Sequence, residues 1–367
     1  MITRRDFTAS IVTAGAFAAI PSCALGAGDE AYLAAVRNTW RHTSGPAAGA
    51  SALKRELVRY ATLAPSSHNT QCWKFHIEGE AISVLPDLAR RCPAVDPDDH
   101  HLFVSLGCAA ENLAQAALAN GLHCDAAPVS AADGGVRLSL DATKGVATTS
   151  FQAIPERQCT RSDYDGTSIS TNELQILEAA CARTGVRVVI LTQPSALENV
   201  LEFVVQANTA QMHDQAFLAE LKAWIRFNSS EALRSNDGLY SATSGNPSLP
   251  TWIGKAGFKM FFRTSSENDK YAKQMRSSAG VAVFIADVAD KAHWIEVGRS
   301  YERFALQATA LGIRNAFLNQ PVEMAAVRSQ FATFLGAEGR RPDLVVRFGR
   351  GPRMPQSLRR TVREALV

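Results

Sequence analysis

No P-loop, no G-x-G-x-x-G turn and no G-x-S-x-G nucleophile elbow occurs in the 367 residues. Their absence removes the commonest nucleotide-binding and serine-hydrolase signatures. Cysteine occurs seven times, never as C-x-x-C and never with histidine at zinc-finger spacing. Neither a dithiol redox motif nor a structural zinc finger is therefore legible. A dominant charge is missing too. Net charge is +3, and basic residues are spread along the chain except at its extreme C-terminus, so no nucleic acid or other polyanion is implied as a partner. What is there is a chain 46% hydrophobic and 20% charged, suited to one large or two ordinary globular domains.

Residues 1–27 read as a leader rather than as fold. Arg4-Arg5, Asp6 and Phe7 precede an uncharged, Ala-rich run from Thr8 to Ala27. That is a positive n-region, an apolar h-region and small residues near a cut site. Ser, Thr, Gly and Pro interrupt the run too often for a membrane span. Arg4-Arg5 with Phe7 resembles a twin-arginine export signal, the alternative being an ordinary secretory leader with two chance arginines. A cut near Ala27 removes Arg4, Arg5 and Asp6 and takes net charge from +3 to +2. "IPSC" (20–23) also resembles a lipoprotein cleavage box, with Cys23 as the lipidated residue and Pro21 fitting poorly. The twin-arginine machinery carries folded proteins, many of which take up a cofactor first, so the leader itself points to a bound cofactor. The expected location is periplasmic or otherwise extracytoplasmic. Most of the cysteines left after cleavage sit among apolar residues and read as core fillers; disulfides stay open.

Periodicity organises the rest. Leu53, Leu57, Tyr60 and Ala61 mark a helix over 51–63 that Ala64-Pro65 ends. "WKFHI" (73–77) and "AISVL" (81–85) form a hairpin. Asp98 or Asp99 caps a helix over 102–119, and "VRLSLD" (136–141) is a strand. A second series follows: helix 171–183, strand 186–192, helix 195–219 opening on a Ser195/Glu198 capping-box spacing, buried strand 279–287, helix 291–311 and strand 343–348. Laid together, 107–122 and 298–313 match Gly107 with Gly298, Glu111 with Glu302, Ala117 with Ala308 and Gly121 with Gly312, at a constant offset of 191. Such matches favour an internal duplication over two Ala-rich helices that look alike by chance. The organisation expected is two similar α+β halves, 45–150 and 151–367, the second with a lid-like insertion over about 195–275. Its segment 236–254 is rich in Gly, Ser, Asn and Pro but too apolar for disorder.

"APSSHNTQCWKF" (64–75) gathers hydroxyl and amide side chains at a helix end. It resembles the signature of the FMN-dependent nitroreductase family, P-S-S-x-N-x-Q-P-W-x-F after a helix. "ERQCTRSDY" (156–164) is similar to the family's basic motif, and "RFGRGPRMPQSLRRTV" (347–362) to its C-terminal strand and basic tail. The paired helices and the insertion resemble the large, internally duplicated branch called Acg-like. The resemblance implies an α+β, nitroreductase-like fold: two similar halves in one chain, forming a pseudo-dimer around a helix-wrapped, antiparallel-rich sheet. It implies FMN as cofactor, NAD(P)H or another electron donor, and a small-molecule acceptor of nitroaromatic or quinone type.

It also implies a site. Ser66, Ser67, Asn69 and Gln71 stand on the first half, and Arg157 and Arg161 on the second, with Arg359, Arg360 and Asn319. Each half keeps one side of the family's site, so one chain completes one FMN site without a partner subunit. Paired guanidiniums bind a phosphate dianion through charge-assisted bidentate hydrogen bonds. Short hydroxyl and amide side chains reach the flavin's polar edge, or else serve as caps and turns. Leu318 and Gln320 flank Asn319 where the family sets backbone near the reactive flavin nitrogen. No catalytic side chain is required, because the cofactor carries the hydride chemistry. Departures are Cys72 for the usual proline, and Gln158 and Cys159 within the basic motif. A flavin-binding or flavin-sequestering protein with little turnover is the other reading, motivated by the lid. Adjacent Asp98, Asp99, His100 and His101 read as capping rather than metal ligands. Ser51/Lys54 lacks the K-[ST]-G partner of a serine acyl-transfer enzyme.

Overall fold

The protein is described by a computed structural model covering residues 27–367 except 44, 46 and 130–132. Arg4, Arg5 and Cys23 lie outside the described residues.

In the first half, α1 (Ala27–Thr39) and α2 (Ala50–Thr62) precede β1 (Trp73–Glu78), β2 (Ala81–Pro86), α3 (His100–Ala119), β3 (Leu122–Pro128) and β4 (Val136–Ala142). The strands form an antiparallel sheet in the order β1-β2-β4-β3. Trp73 and Phe75 point into the core while His76 and Glu78 face outward, the alternation of a sheet with one covered face. The hairpin between β1 and β2 turns on Gly79 and Glu80 alone, with Gly79 at φ 52, a left-handed conformation that glycine adopts without cost.

The second half runs through α4 (Thr149–Ala153), α5 (Thr171–Cys181) and β5 (Val186–Leu191). Then come α6 (Pro194–His213), α7 (Gln215–Trp224), β6 (Ile225–Arg226), α8 (Ser229–Ser235), β7 (Leu239–Tyr240), α9 (Thr251–Phe261) and α10 (Thr264–Arg276). The half closes with β8 (Gly280–Ala286), α11 (Lys291–Ala310), β9 (Arg314–Phe317), α12 (Gln320–Glu323), α13 (Ala325–Phe334), β10 (Pro342–Gly349) and α14 (Val362–Ala365). Its antiparallel sheet has the order β5-β8-β10-β9. Matched in chain sequence, this is the strand order of the first sheet. The difference lies between the first two strands. There the first half has two residues, and the second has α6 to α10.

The insertion changes burial. Every residue of β8 and β10 is buried. Phe284, Val346 and Phe348 face α11, in a core that also holds α3. Val281, Val283, Ile285 and Val345 face α6, α12 and α13 in a second core. A sheet covered on both sides reads as a continuous apolar run, which is how "VAVFI" and "LVV" stand in the sequence.

The helices related by 191 residues, α3 and α11, cross at Gly107 and Gly298. A Cβ on Gly107 would sit 2.0 Å from the Ile295 carbonyl oxygen, and one on Gly298 1.9 Å from that of Val104. Val104 and Ile295 are themselves 191 apart, so each glycine admits the other helix's equivalent turn. The C-terminus crosses back to the first sheet, where Leu366 bridges Phe75 in parallel.

Local readings are corrected at three places. The helix expected over 195–219 breaks at Asp214, whose carboxylate accepts from Ala216 N at 2.8 Å and starts α7. Gln193, not Ser195, stands at the N-cap of α6, with Pro194 in the first turn. Asp99 stands at the N-cap position of α3 but makes no side-chain capping bond; Asp96 supplies the carboxylate instead, accepting from His101 N at 3.1 Å and Leu102 N at 3.0 Å. The segment 236–254 carries β7, a short 3-10 turn and the start of α9.

Candidate functional site

Pro65 cannot continue α2, and the chain beyond it turns sharply. Ser66 is extended, while His68, Asn69 and Gln71 have φ of 49, 53 and 54. Left-handed backbone costs an L-residue about 1–2 kcal/mol, which side-chain bonds offset here. Ser66 Oγ accepts from Gln71 N at 2.9 Å. Asn69 Nδ2 donates to the Gly238 and Leu358 carbonyls at 3.0 and 3.3 Å, and its Oδ1 accepts from Arg359 at 2.9 Å. Gln71 Nε2 donates to Asn236 O at 2.8 Å, and its Oε1 accepts from Arg360 N at 2.7 Å. Asn69 and Gln71 thus clasp the insertion's 236–238 loop on one side and the basic tail on the other.

Two adjoining cavities open beside this turn, of about 240 and 60 Å³. They share Pro65, Ser66, Arg161, Leu239 and Phe317. The larger is also lined by Ser67 and Asn319, and the smaller by Asn69, Arg157 and Arg359. Of the nine residues expected at the site, seven therefore line one or both of these adjoining cavities. Gln71 and Arg360 do not line it. The Arg360 side chain instead donates to the Gln71 and Trp73 carbonyls at 2.6 and 3.2 Å. Asn319 lines the larger cavity while its Oδ1 accepts from Val345 N at 2.9 Å.

The arginines differ in what they already hold. Arg157 is 2% exposed, donates to Leu63 O at 3.0 Å and lies 3.2 Å from Glu302 Oε1. That contact lacks hydrogen-bond alignment, leaving Nε and Nη1 of Arg157 and both Glu302 oxygens without a bonded partner. Burial, partly countered by Arg157, lifts the Glu302 carboxyl to about 7. Arg359 donates to the Thr62, Leu63 and Ala64 carbonyls at 2.8, 3.3 and 3.1 Å, which occupies the open C-terminal carbonyls of α2. Burial first, then repulsion from Arg157, pulls the Arg359 guanidinium down to about 9. Arg161 is unlike both. Among the described residues its guanidinium has neither a carboxylate nor a hydrogen-bond acceptor, and it lies where the cavities join.

Sequence reasoning expected a lid over 195–275 but named none of the residues with which it lines the cavity. About half of the larger cavity's lining comes from the insertion, including Asn208, Gln211, Phe217, Lys270 and Tyr271. His101 and Glu323 form part of the floor, with Gln211 Nε2 donating to Glu323 at 2.6 Å. Behind them His100 Nε2 lies 2.7 Å from Asp343 Oδ1, both fully buried. Burial lifts the Asp343 carboxyl to about 7 and pushes the His100 imidazole well below its ordinary value. The "DDHH" run was the visible signal, but its partner lies 243 residues away. Lys54 donates to Gly79 O and Glu80 in the hairpin turn at 2.6 and 2.8 Å, so its contacts are structural. Cys72 is buried in the main core, with its Sγ 4.0 Å from Leu102 O. All six cysteines among the described residues are free thiols.

No family model matches the chain. Over 316 residues it is 24% identical to proteins provisionally named NAD(P)H nitroreductases in two strains of Mycobacterium tuberculosis, CDC 1551 and H37Rv. The match covers 81% of this chain and 85% of each relative. Among solved structures, a provisionally named nitroreductase from Anabaena variabilis aligns over 86% of this chain and 91% of its own, at 10% identity and a TM-score of 0.45. The FMN-dependent nitroreductase of Mycobacterium smegmatis in complex with NADPH aligns over 57% of this chain and 94% of its own, at 14% identity and a TM-score of 0.38.

Proposed function

We propose that the chain is an FMN-dependent oxidoreductase of nitroreductase type, taking hydride from NAD(P)H and delivering it to a nitroaromatic or quinone-like acceptor. The observation that carries this reading is Arg161, which lines both cavities beside Ser66 and, among the described residues, has no carboxylate or hydrogen-bond acceptor for its guanidinium. The mycobacterial relatives are named for the same activity.

The residues fit the cofactor. Three guanidiniums, Arg157, Arg161 and Arg359, line the smaller cavity, and burial, then repulsion from Arg157, holds Arg359 down. A phosphate dianion relieves that repulsion through charge-assisted hydrogen bonds. Arg161 is the residue free to hold the phosphate, with Arg157 and Arg359 supplying field from behind. Ser66, Ser67 and Asn319 would meet the polar ribityl and ring edges. Bound FMN would supply the hydride chemistry, and the insertion residues that line the larger cavity would shield it from water.

The same reading takes 1–27 as a twin-arginine leader, with export of a folded, cofactor-loaded chain, and keeps a lipid anchor at Cys23 as a second fate. It takes the two halves as an Acg-like pseudo-dimer with one FMN per chain and no second subunit. The purified protein is expected to be yellow, to hold one FMN per chain, and to oxidise NADH or NADPH when given a nitro or quinone acceptor. A colourless protein that refuses added FMN would sink the reading.

A second reading, flavin sequestration with little turnover, is favoured by the insertion's share of the cavity lining. Anaerobic reduction separates the two. Flavin reduced by a small artificial donor but not by NADH or NADPH indicates sequestration.

A further inference from the structure

Three segments meet beside the larger cavity: the turn after α2, the loop before α3, and α7 of the insertion. Each brings a side chain that binds metals. His68 Nδ1 lies 3.6 Å from Cys92 Sγ, and a His68 ring nitrogen, the Cys92 sulfur and a Glu220 carboxylate oxygen all lie within 4.8 Å of one another. Zinc sits about 2.3 Å from a cysteine sulfur and about 2.0–2.1 Å from an imidazole nitrogen. At the tetrahedral angle those lengths set the two ligand atoms about 3.6 Å apart, so the His68–Cys92 edge already has the dimension of a zinc site.

We propose that His68, Cys92 and Glu220 bind a zinc-type divalent cation that fastens α7 of the insertion to the body of the molecule. One thiolate and one carboxylate balance two positive charges, and the N, S and O donors suit a borderline-soft metal. The fourth ligand is left to water or to a group in the cavity, which His68 also lines. Glu220 is held in place from outside, since its oxygens accept from Ala94 N at 2.9 Å and Val95 N at 3.2 Å; such outer bonds orient a metal ligand. Burial and nearby Arg161 bring His68 down to about 4, so near neutral pH the imidazole is in its ligand form. Burial keeps the Cys92 thiol protonated. On coordination its proton leaves to solvent and the sulfur binds as thiolate.

The cation has a mechanical consequence. The larger cavity is walled on one side by α6, α7 and α10, and the cluster ties α7 to segments outside the insertion. Zinc at 100 times its dissociation constant suppresses any opening that breaks the site about 100-fold.

The test uses the full-length chain, stripped with a chelator and dialysed against zinc. Elemental analysis is expected to find one zinc per chain, lost in Cys92→Ser and in His68→Ala. Cobalt should give a thiolate-to-metal charge-transfer band that Cys92→Ser abolishes. Zinc should slow proteolytic cleavage between residues 192 and 279 in the wild-type chain and leave cleavage of Cys92→Ser unchanged. Circular dichroism without metal shows that each variant is folded. A folded wild-type chain that takes up no zinc overturns the proposal, as does zinc retained by both folded variants; a thiol-to-imidazole hydrogen bond is then the whole of the cluster.

Discussion

Gly107 and Gly298 admit each other's helices, each leaving room for a carbonyl oxygen that a side chain would strike at about 2 Å. In an open helix, glycine to alanine is worth up to ~1 kcal/mol of stabilisation. Here the sign reverses, because the added methyl meets rigid backbone. Gly107→Ala and Gly298→Ala are each expected to destabilise by ~1–3 kcal/mol, and by similar amounts because their surroundings correspond. Urea denaturation midpoints read the effect. An unchanged midpoint in either variant would mean that the helices slide apart at little cost.

Arg161 and Arg157 should separate binding from stability. Arg161→Ala removes a guanidinium that, among the described residues, has no bonded partner, so the denaturation midpoint is expected to stay put. FMN binding should weaken by about 10- to 100-fold, as for loss of a charged hydrogen bond. Arg157→Ala strands Glu302, which is fully buried, and is expected to lower stability by ~3 kcal/mol. Flavin fluorescence titration and chemical denaturation on both variants give the comparison. Equal losses of affinity and stability in Arg161→Ala would contradict the assignment.

The His100–Asp343 pair makes a prediction about pH. Folded, the pair carries one proton on Asp343 up to about pH 7, since burial favours both neutral forms. Unfolded, between about pH 4 and 6.5, it carries one proton on His100 instead. The counts match, so the pair adds no pH slope in that window. Asp343→Asn removes the aspartate's proton from the folded state, while the unfolded state still takes one on His100. Stability of that variant is expected to fall as pH drops below 6.5, by up to ~1.4 kcal/mol per unit beyond any wild-type slope. Parallel pH profiles for the two proteins would show that His100 stays charged in the fold.

Asp237 accepts from Arg226 within the insertion at 2.6 and 3.2 Å and joins the insertion to the body by pairing with Arg90. Asp237→Ala leaves both guanidiniums without their carboxylate in a largely buried place. Faster proteolysis of the 192–279 segment and faster FMN release are expected, with secondary structure retained. Unaltered release would locate the barrier to exchange elsewhere in the lid.

Much of this was legible because local patterns and global packing agree. The strands 73–78 and 81–86 follow from alternation, and β8 and β10 from their unbroken apolar runs. The 191-residue offset paired Gly107 with Gly298 as equivalents, and the structure brings that pair together where α3 and α11 cross. The turn at 66–71 was visible as a polar cluster, but Asn69 and Gln71 bond groups 165 to 290 residues away, and no short window holds that information. The same holds for Glu302 beside Arg157 and for Asp343 beneath His100. Asp96 supplies the capping carboxylate of α3 because Asp99, at the N-cap position, is left-handed, at φ 58, and makes no capping bond. β3 and β9 escaped notice because one is half-exposed and the other only four residues long.

The α3–α11 crossing joins the two halves through covalently connected chain. Two separate subunits would meet at a rate and extent set by their concentration. Joined halves meet at a fixed effective concentration, whatever the dilution. Thermal midpoints of this protein should therefore be independent of protein concentration. Saturation by a ligand that fills the adjoining cavities should follow a simple hyperbola.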